Sequence, residues 1–288
     1  MSILFFSSCI VNGFIFRYNK RTVLLNENKG IVMFTLNHFI WLAVSLVLII
    51  ISVIMLKKYN PDINKVLTAA CAAAVLSEFT RAFSLMHLVP SADGSTMTPF
   101  LELHNLPFHL CSVQVLLIFF VRFAKEGQLR TAVLAFMYPT CALGAFIALF
   151  IPIIFTDDID VSQAFTHPIA YQYFLWHSVL VILGIYIAIS KQVDIQRKHC
   201  VTTVGILAGM ALISIYLNSW MSMVTYRNGE VVSVDYTPNF FFTYQPPIPF
   251  EFTAIWQWYI YFMILFVVVC ICAIIFYLPF FKKRQDSN

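Results

Sequence analysis

Apolar residues in this chain gather into seven long runs separated by mostly short polar connections. The runs cover residues 39–56, 66–88, 106–123, 131–154, 169–190, 201–225 and 254–281. About 20 mostly apolar residues, rising about 1.5 Å each, cross a hydrocarbon core of roughly 30 Å, and each run approaches or exceeds that length. The ten-residue alternation that a membrane β-barrel needs is absent, so the pattern predicts helices. The expected fold is an all-α polytopic membrane protein, a seven-transmembrane helix bundle. One connection is long, over 226–253. There Pro238, Pro246, Pro247 and Pro249 stand among aromatic residues, a composition suited to a loop lying in the interface. Nothing divides the spans, and residues 33–288 read as one seven-helix domain.

Composition narrows the class. Of 288 residues, 60% are hydrophobic and 11% charged, against about 45–50% and about 25% in soluble domains. So few charges cannot wet a globular surface. A soluble enzyme, a disordered chain and a nucleic-acid binder working through basic patches are excluded, and membrane lipids become the expected partners. The seven cysteines are odd in number and form no C-x-x-C pair, so neither a disulfide framework nor a metal site is expected. No cofactor is expected either.

Charge placement orients the bundle. Lys57, Lys58 and Lys65 follow the first run; Arg122, Lys125 and Arg130 the third; Lys191, Arg197 and Lys198 the fifth; Lys282, Lys283 and Arg284 the seventh. The alternate connections hold Asp93 and Glu102, then Asp157, Asp158 and Asp160, then Glu230, Asp235 and Glu251, with Arg227 their one base. Basic residues collect on the cytoplasmic side, which predicts the N-terminus outside and the C-terminus inside.

Ionisable groups at membrane depth are expensive and count as site candidates. Glu78 and Arg81 lie three residues apart on one helical face. They read either as a structural ion pair or as the charged wall of a cavity, with Arg81 holding a phosphate or carboxylate. The third run opens His104-Asn105-Leu106-Pro107-Phe108-His109-Leu110-Cys111-Ser112. With Pro107 in a first helical turn, Asn105, His109 and Ser112 share a face, and Cys111 falls about 200° from His109, nearly opposite. In the fifth run His177 shares a face with Tyr173, roughly 12 Å below the outer end, and Gly184 lets another helix come close. Asn218 closes the sixth run, where it serves as interhelical glue or as a site residue. Glu78, Arg81, His109, His177 and Asn218 all fall in outer helix halves, which predicts one outward-facing polar pocket. His87, His104 and His167 fall at outer helix ends, where interfacial water is expected to satisfy them.

At these same residues the chain resembles the YwaF family of bacterial integral membrane proteins. The likeness lies in Leu106-Pro107-Phe108-His109-Leu110-Cys111-Ser112, in Tyr138-Pro139 with Gly144, in Gln172 through Gly184 around His177-Ser178, and in Asn218 with Asn239-Phe240-Phe241-Phe242. It implies seven spans and a multi-pass protein of the bacterial plasma membrane. More distantly, the chain is similar to eukaryotic transmembrane acyltransferases that remodel ether phospholipids. Their Asn-Pro-Cys-His segment would place His109 on the family histidine and Phe108 where the nucleophilic cysteine stands. That departure removes the thioester nucleophile and leaves Cys111, Ser112 and Ser178 as substitutes, with nothing in the sequence to choose between them.

The resemblance implies a lipid-directed acyltransferase or acyl hydrolase at the outer leaflet, taking a phospholipid or acyl substrate. His109 or His177 would be general base, with Arg81 on the phosphate or oxyanion. The alternative class is a transporter or small-molecule-binding membrane protein without catalysis. The absence of internal repeats, the odd number of spans and the off-centre polar set count against a carrier.

Residues 1–32 break the charge rule, since Arg17, Lys20, Arg21 and Lys29 would lie outside. The apolar run 3–16 is too short to cross and lacks the features of a signal peptide. Residues 1–32 are therefore expected to be a non-core extension before a compact start at Met33. Mass spectrometry of the native protein should find its N-terminus at Met33; peptides from residues 1–32 in the mature protein would overturn this.

Overall fold

The computed structural model describes residues 34–91, 94–227, 230–247, 250 and 252–281. The expected extension over residues 1–32 lies outside the described residues. Seven helices long and apolar enough to cross a membrane make up most of the chain. They are α1 (Leu36–Tyr59), α2 (Ile63–Leu85), α3 (Leu110–Phe123), α4 (Gln128–Phe150), α5 (Pro168–Ile189), α6 (Arg197–Trp220) and α7 (Ile255–Phe281). Thr35 caps α1, its hydroxyl accepting from the His38 amide at 3.3 Å, and Asp62 caps α2 by accepting from the Asn64 amide at 2.7 Å. Lys57 and Lys58 stand in the last turn of α1, where the helix dipole favours cations.

Two short antiparallel hairpins depart from the helical pattern. The first pairs β1 (His87–Pro90) with β2 (Met97–Phe100), and the second β3 (Met223–Arg227) with β4 (Glu230–Tyr236). Strand β1 takes the expected end of the second run and β3 the end of the sixth, so α2 stops at Leu85 and α6 at Trp220. An apolar count cannot tell a helical end from a strand in the interface. Both hairpins lie at one end of the bundle, and the Lys/Arg-rich connections lie at the other. These are called below the hairpin end and the basic end.

Helix α5 occupies the centre and packs against α1, α2 and α4. Its Phe174 ring lies parallel to Trp41 of α1, with centroids 4.9 Å apart, and the Trp41 indole N–H donates to the Ala164 carbonyl at 2.8 Å. Such an aromatic pair contributes about 0.5–1.5 kcal/mol beyond area burial. His38, wholly buried, donates from Nε2 to the Leu149 carbonyl at 2.9 Å and joins α1 to α4. At the basic end, Arg130 is buried rather than solvated. It donates from Nε to the Val121 carbonyl in the last turn of α3 at 2.8 Å, and from its guanidinium to Asn64 Oδ1 of α2 at 2.6 Å.

Helix α4 is broken in mid-membrane. Pro139 ends its first segment, and Thr140–Gly144 form a π-turn before Ala145–Phe150 resume the α-helix. Pro139 has no N–H for the Ala135 carbonyl four residues back. The Tyr277 hydroxyl of α7 donates to that carbonyl at 2.7 Å. Thr140 donates to the Phe136 carbonyl at 2.8 Å and accepts from Gln114 Nε2 of α3 at 3.0 Å. Beside this break α5 comes very close. A methyl group on Gly184 would stand 2.5 Å from the Ala142 amide nitrogen and 2.8 Å from the Tyr138 carbonyl oxygen.

Gly184→Ala should therefore destabilise the protein by about 2 kcal/mol or more, because the clash is with backbone. Gly205→Ala on α6, where an added methyl meets nothing, should change stability by at most about 1 kcal/mol, through helix propensity alone. Unfolding in detergent measures both, and equal effects would refute the close approach.

Candidate functional site

A cavity of about 460 Å³ lies among α2 to α7. Its polar part is at the hairpin end, where Glu78, Arg81, His104, Asn105, His109 and Ser112 line the wall. Glu78 and Arg81 form the pair their spacing predicted, with guanidinium and carboxylate at 2.5 Å. A second guanidinium nitrogen of Arg81 donates to Ser112 Oγ at 3.2 Å. Arg81 is thus held by two helices while its fork of five N–H groups lies along the cavity wall.

His177 faces the cavity from α5 and is almost fully buried. Its Nδ1 lies 2.6 Å from the Tyr173 carbonyl. A carbonyl only accepts, so Nδ1 carries the proton and the neutral ring keeps its lone pair on Nε2. The Tyr173 ring lies 4.3 Å from the imidazole, and its hydroxyl is fixed by the Ala148 carbonyl at 2.9 Å. This is how a general base is oriented: one nitrogen bonded to backbone, the other available for a proton.

The third span corrects the helical-wheel reading. Helix α3 starts at Leu110, after a 3₁₀ turn at Leu103–Asn105 and an irregular link. Pro107 therefore lies before the helix, and His109 is its N-cap in extended backbone, φ −76° and ψ 154°. The 100° spacing does not apply across that link. Cys111 is accordingly not turned away from His109: Asn105, His109, Cys111 and Ser112 all line the cavity. Phe108 packs edge-on against Phe240 at 5.4 Å, and His109 meets the same ring at 5.1 Å.

Two expected site residues are placed elsewhere. Asn218, fully buried, faces away from the cavity toward the segment after β4. It donates to the Phe240 carbonyl at 3.2 Å and to Thr243 Oγ1 at 3.0 Å, and accepts from the Phe240 amide at 2.9 Å. Asn239 Oδ1 accepts from the Tyr244 amide at 3.1 Å and the Gln245 amide at 3.2 Å. Together they hold Phe241 and Phe242 at φ 59° and 54°, left-handed backbone that bulky side chains rarely adopt. Both rings line the cavity and roof it beside His109. Ser178 is also buried and donates to its own helix's Phe174 carbonyl at 2.7 Å. Of the three substitute nucleophiles, Cys111 and Ser112 reach the cavity wall and Ser178 does not.

Sequence reasoning missed His104 and Asp158. His104 was expected in interfacial water, as were His87 and His167. Instead it lines the cavity, with Nε2 3.1 Å from Asp158 Oδ1 and Nδ1 3.1 Å from the Tyr236 hydroxyl. Asn105 Nδ2 donates to the same Asp158 oxygen at 3.3 Å. These partners lie in three separate connections, and only the adjacency of His104 to the His109 segment hinted at the role. His87 is half-exposed and lies 3.6 Å from Glu102, and His167 caps α5 by accepting from the Ile169 amide at 3.3 Å. Among the described residues no three His, Cys, Asp or Glu side chains are grouped to hold a metal ion.

Toward the basic end the cavity turns apolar, with Leu207 and Ala211 of α6 facing Leu265, Val269 and Ala273 of α7. The lining ends at Ala273 of α7 and Thr203 of α6, and one turn beyond Ala273 stands the fully buried Tyr277. Its hydroxyl lies 2.9 Å from Thr203 Oγ1 and donates to Ala135, while its ring packs edge-on against Tyr138 at 6.0 Å. The cavity is therefore amphipathic: charged and imidazole-bearing at the hairpin end, apolar toward the basic end.

Fold and cavity together define a seven-span helical membrane protein with a buried polar site. The chain belongs to the TMEM164 family, which matches it over residues 33–277. No curated protein and no solved structure matches the chain.

Asn218→Leu should lower stability by about 1–3 kcal/mol, because it strands the buried Phe240 amide and removes one donor from the carbonyl that Thr243 also serves. Ser178→Ala should cost less than about 1 kcal/mol, since its hydroxyl serves only a carbonyl of its own helix. Unfolding of the purified variants checks both, and comparable losses would refute the assigned roles.

Proposed function

We propose that the protein is a lipid-directed acyltransferase or acyl hydrolase of the bacterial plasma membrane. It works at the leaflet facing the hairpin end, which the charge distribution assigns to the outside. The observation that carries this reading is the amphipathic cavity, whose polar wall holds Arg81 and three imidazoles above an apolar interior. An amphiphile has the same division. The distant similarity to phospholipid acyltransferases supports the same reading.

In this reading Arg81 binds the lipid phosphate or the oxyanion of the attacked ester, and Glu78 and Ser112 hold its guanidinium in place. His177, with its lone pair on Nε2, takes the proton from the attacking hydroxyl, thiol or water as the new bond to the ester carbonyl forms. Collapse of the tetrahedral intermediate expels the lysolipid alkoxide, which takes that proton back from the imidazolium. His109 is the second candidate for the base, and Cys111 or Ser112 would serve if the acyl group first passes to the protein. Asn218 acts at one remove, through the loop that packs Phe240 on His109.

Purified protein in phospholipid vesicles, given a lysophospholipid acceptor, should exchange labelled acyl groups. Loss of the base should slow exchange by about 10²–10⁴-fold, in His177→Ala if His177 fills that role and in His109→Ala if His109 does. Unchanged turnover in both variants would overturn the assignments. Solute uptake by the vesicles without lipid turnover would favour the carrier.

A further inference from the structure

The apolar arm of the cavity has a shape that selects among lipids. It runs down α7 from Phe262 to Ala273, eleven residues or about 16 Å of helix. One leaflet of a bilayer core is about 15 Å thick, half of roughly 30 Å. The arm is therefore about as deep as the hydrocarbon of one leaflet is thick. Its facing walls are the side chains of α6 and α7, from Leu207 and Ala211 to Leu265 and Val269.

The arm has its floor where the lining ends, at Ala273 of α7 and Thr203 of α6. Tyr277 is fully buried one turn beyond Ala273, and its hydroxyl is tied to both Thr203 of α6 and the Ala135 carbonyl of α4. Shifting the Tyr277 ring to admit a longer chain would break both bonds where no water can replace them. Ala273 is the small residue just above that floor, and it too lines the cavity. A chain too long for the arm meets the tyrosine, and one too short leaves a void without packing partners.

We infer that the α6–α7 arm is an acyl-chain subsite and that Ala273, backed by Tyr277, sets the length of chain it accepts. This inference rests on the lipid-directed reading of the same cavity and adds the tail specificity that the polar end does not supply. A larger side chain at Ala273 raises the floor by about one helical turn, 5.4 Å, without touching Arg81 or the imidazoles.

The test uses the full chain in detergent, mixed with lysophosphatidylcholines of graded saturated tail length, with retained lipid read by native mass spectrometry. The native protein should show a peak in retention at one length. Ala273→Phe should move that peak shorter by about four carbons, the methylenes that span one helical turn. Ala273→Leu, a smaller enlargement that keeps the test open if the first variant fails to fold, should move it the same way by less. No retention at any length, or a profile unchanged in the folded variants, overturns the inference. Acyl exchange on the same samples separates the two readings. A shifted peak without exchange upholds the subsite and removes the enzyme, whereas exchange with an unmoved peak removes the subsite and leaves the enzyme.

Discussion

The hydrogen bond from Tyr277 to the Ala135 carbonyl follows from a constraint that acts on the whole bundle. Inside a bilayer no water stands ready to satisfy a backbone group, so a break in a spanning helix must be repaired by the protein itself. Pro139 makes such a break in α4. Tyr277 and Thr140 repair it, one from another helix and one from within the π-turn. The repair ties α7, otherwise the least buried helix, to α4 and α6. It also fixes Tyr277 one turn beyond Ala273, the last residue of α7 that lines the cavity.

The same constraint shapes the polar end. Among the described residues no buried side-chain nitrogen or oxygen lacks a hydrogen-bond partner. Arg81 is held by Glu78 and Ser112, Gln172 by Ser77 at 2.7 Å, and His104 by Asp158. Such satisfied networks keep their geometry in a low dielectric, where a misplaced charge is costly. The roof over them is a short backbone segment in an uncommon conformation, held by Asn218 and Asn239. Strained backbone persists only where its surroundings over-determine it, and such places are commonly functional.

Phe108 has a structural role rather than a place among the polar groups of the wall. Phe108 packs against Phe240, so its ring supports the roof. Any nucleophile must come from elsewhere on the wall. Ser112 accepts a bond from Arg81 and so already takes part in the charged network, whereas Cys111 lines the cavity beside it. Water fills the role in a hydrolase without either.

The seven spans and the grouping of basic residues at one end were legible because both depend on composition along the chain, and the bilayer reads composition directly. The Glu78–Arg81 pair was legible for a local reason, as three residues along a helix always share a face. The shared depth of Arg81, His109 and His177 also followed from counting along helices, and they line one cavity. What the sequence did not contain in readable form depended on backbone leaving the helix or on partners far away in the chain. His109 reaches the wall as an N-cap because α3 starts at Leu110, which a helical wheel cannot foresee. Asn218 shares the right depth but points at a loop, since depth says nothing of direction. His104 finds Asp158 54 residues on, a meeting that only the packing of α2 to α7 brings about. Spans, sides and depths follow from one-dimensional chemistry against a slab of lipid. Which side chains meet was decided by how the broken helix α4 is packed and repaired.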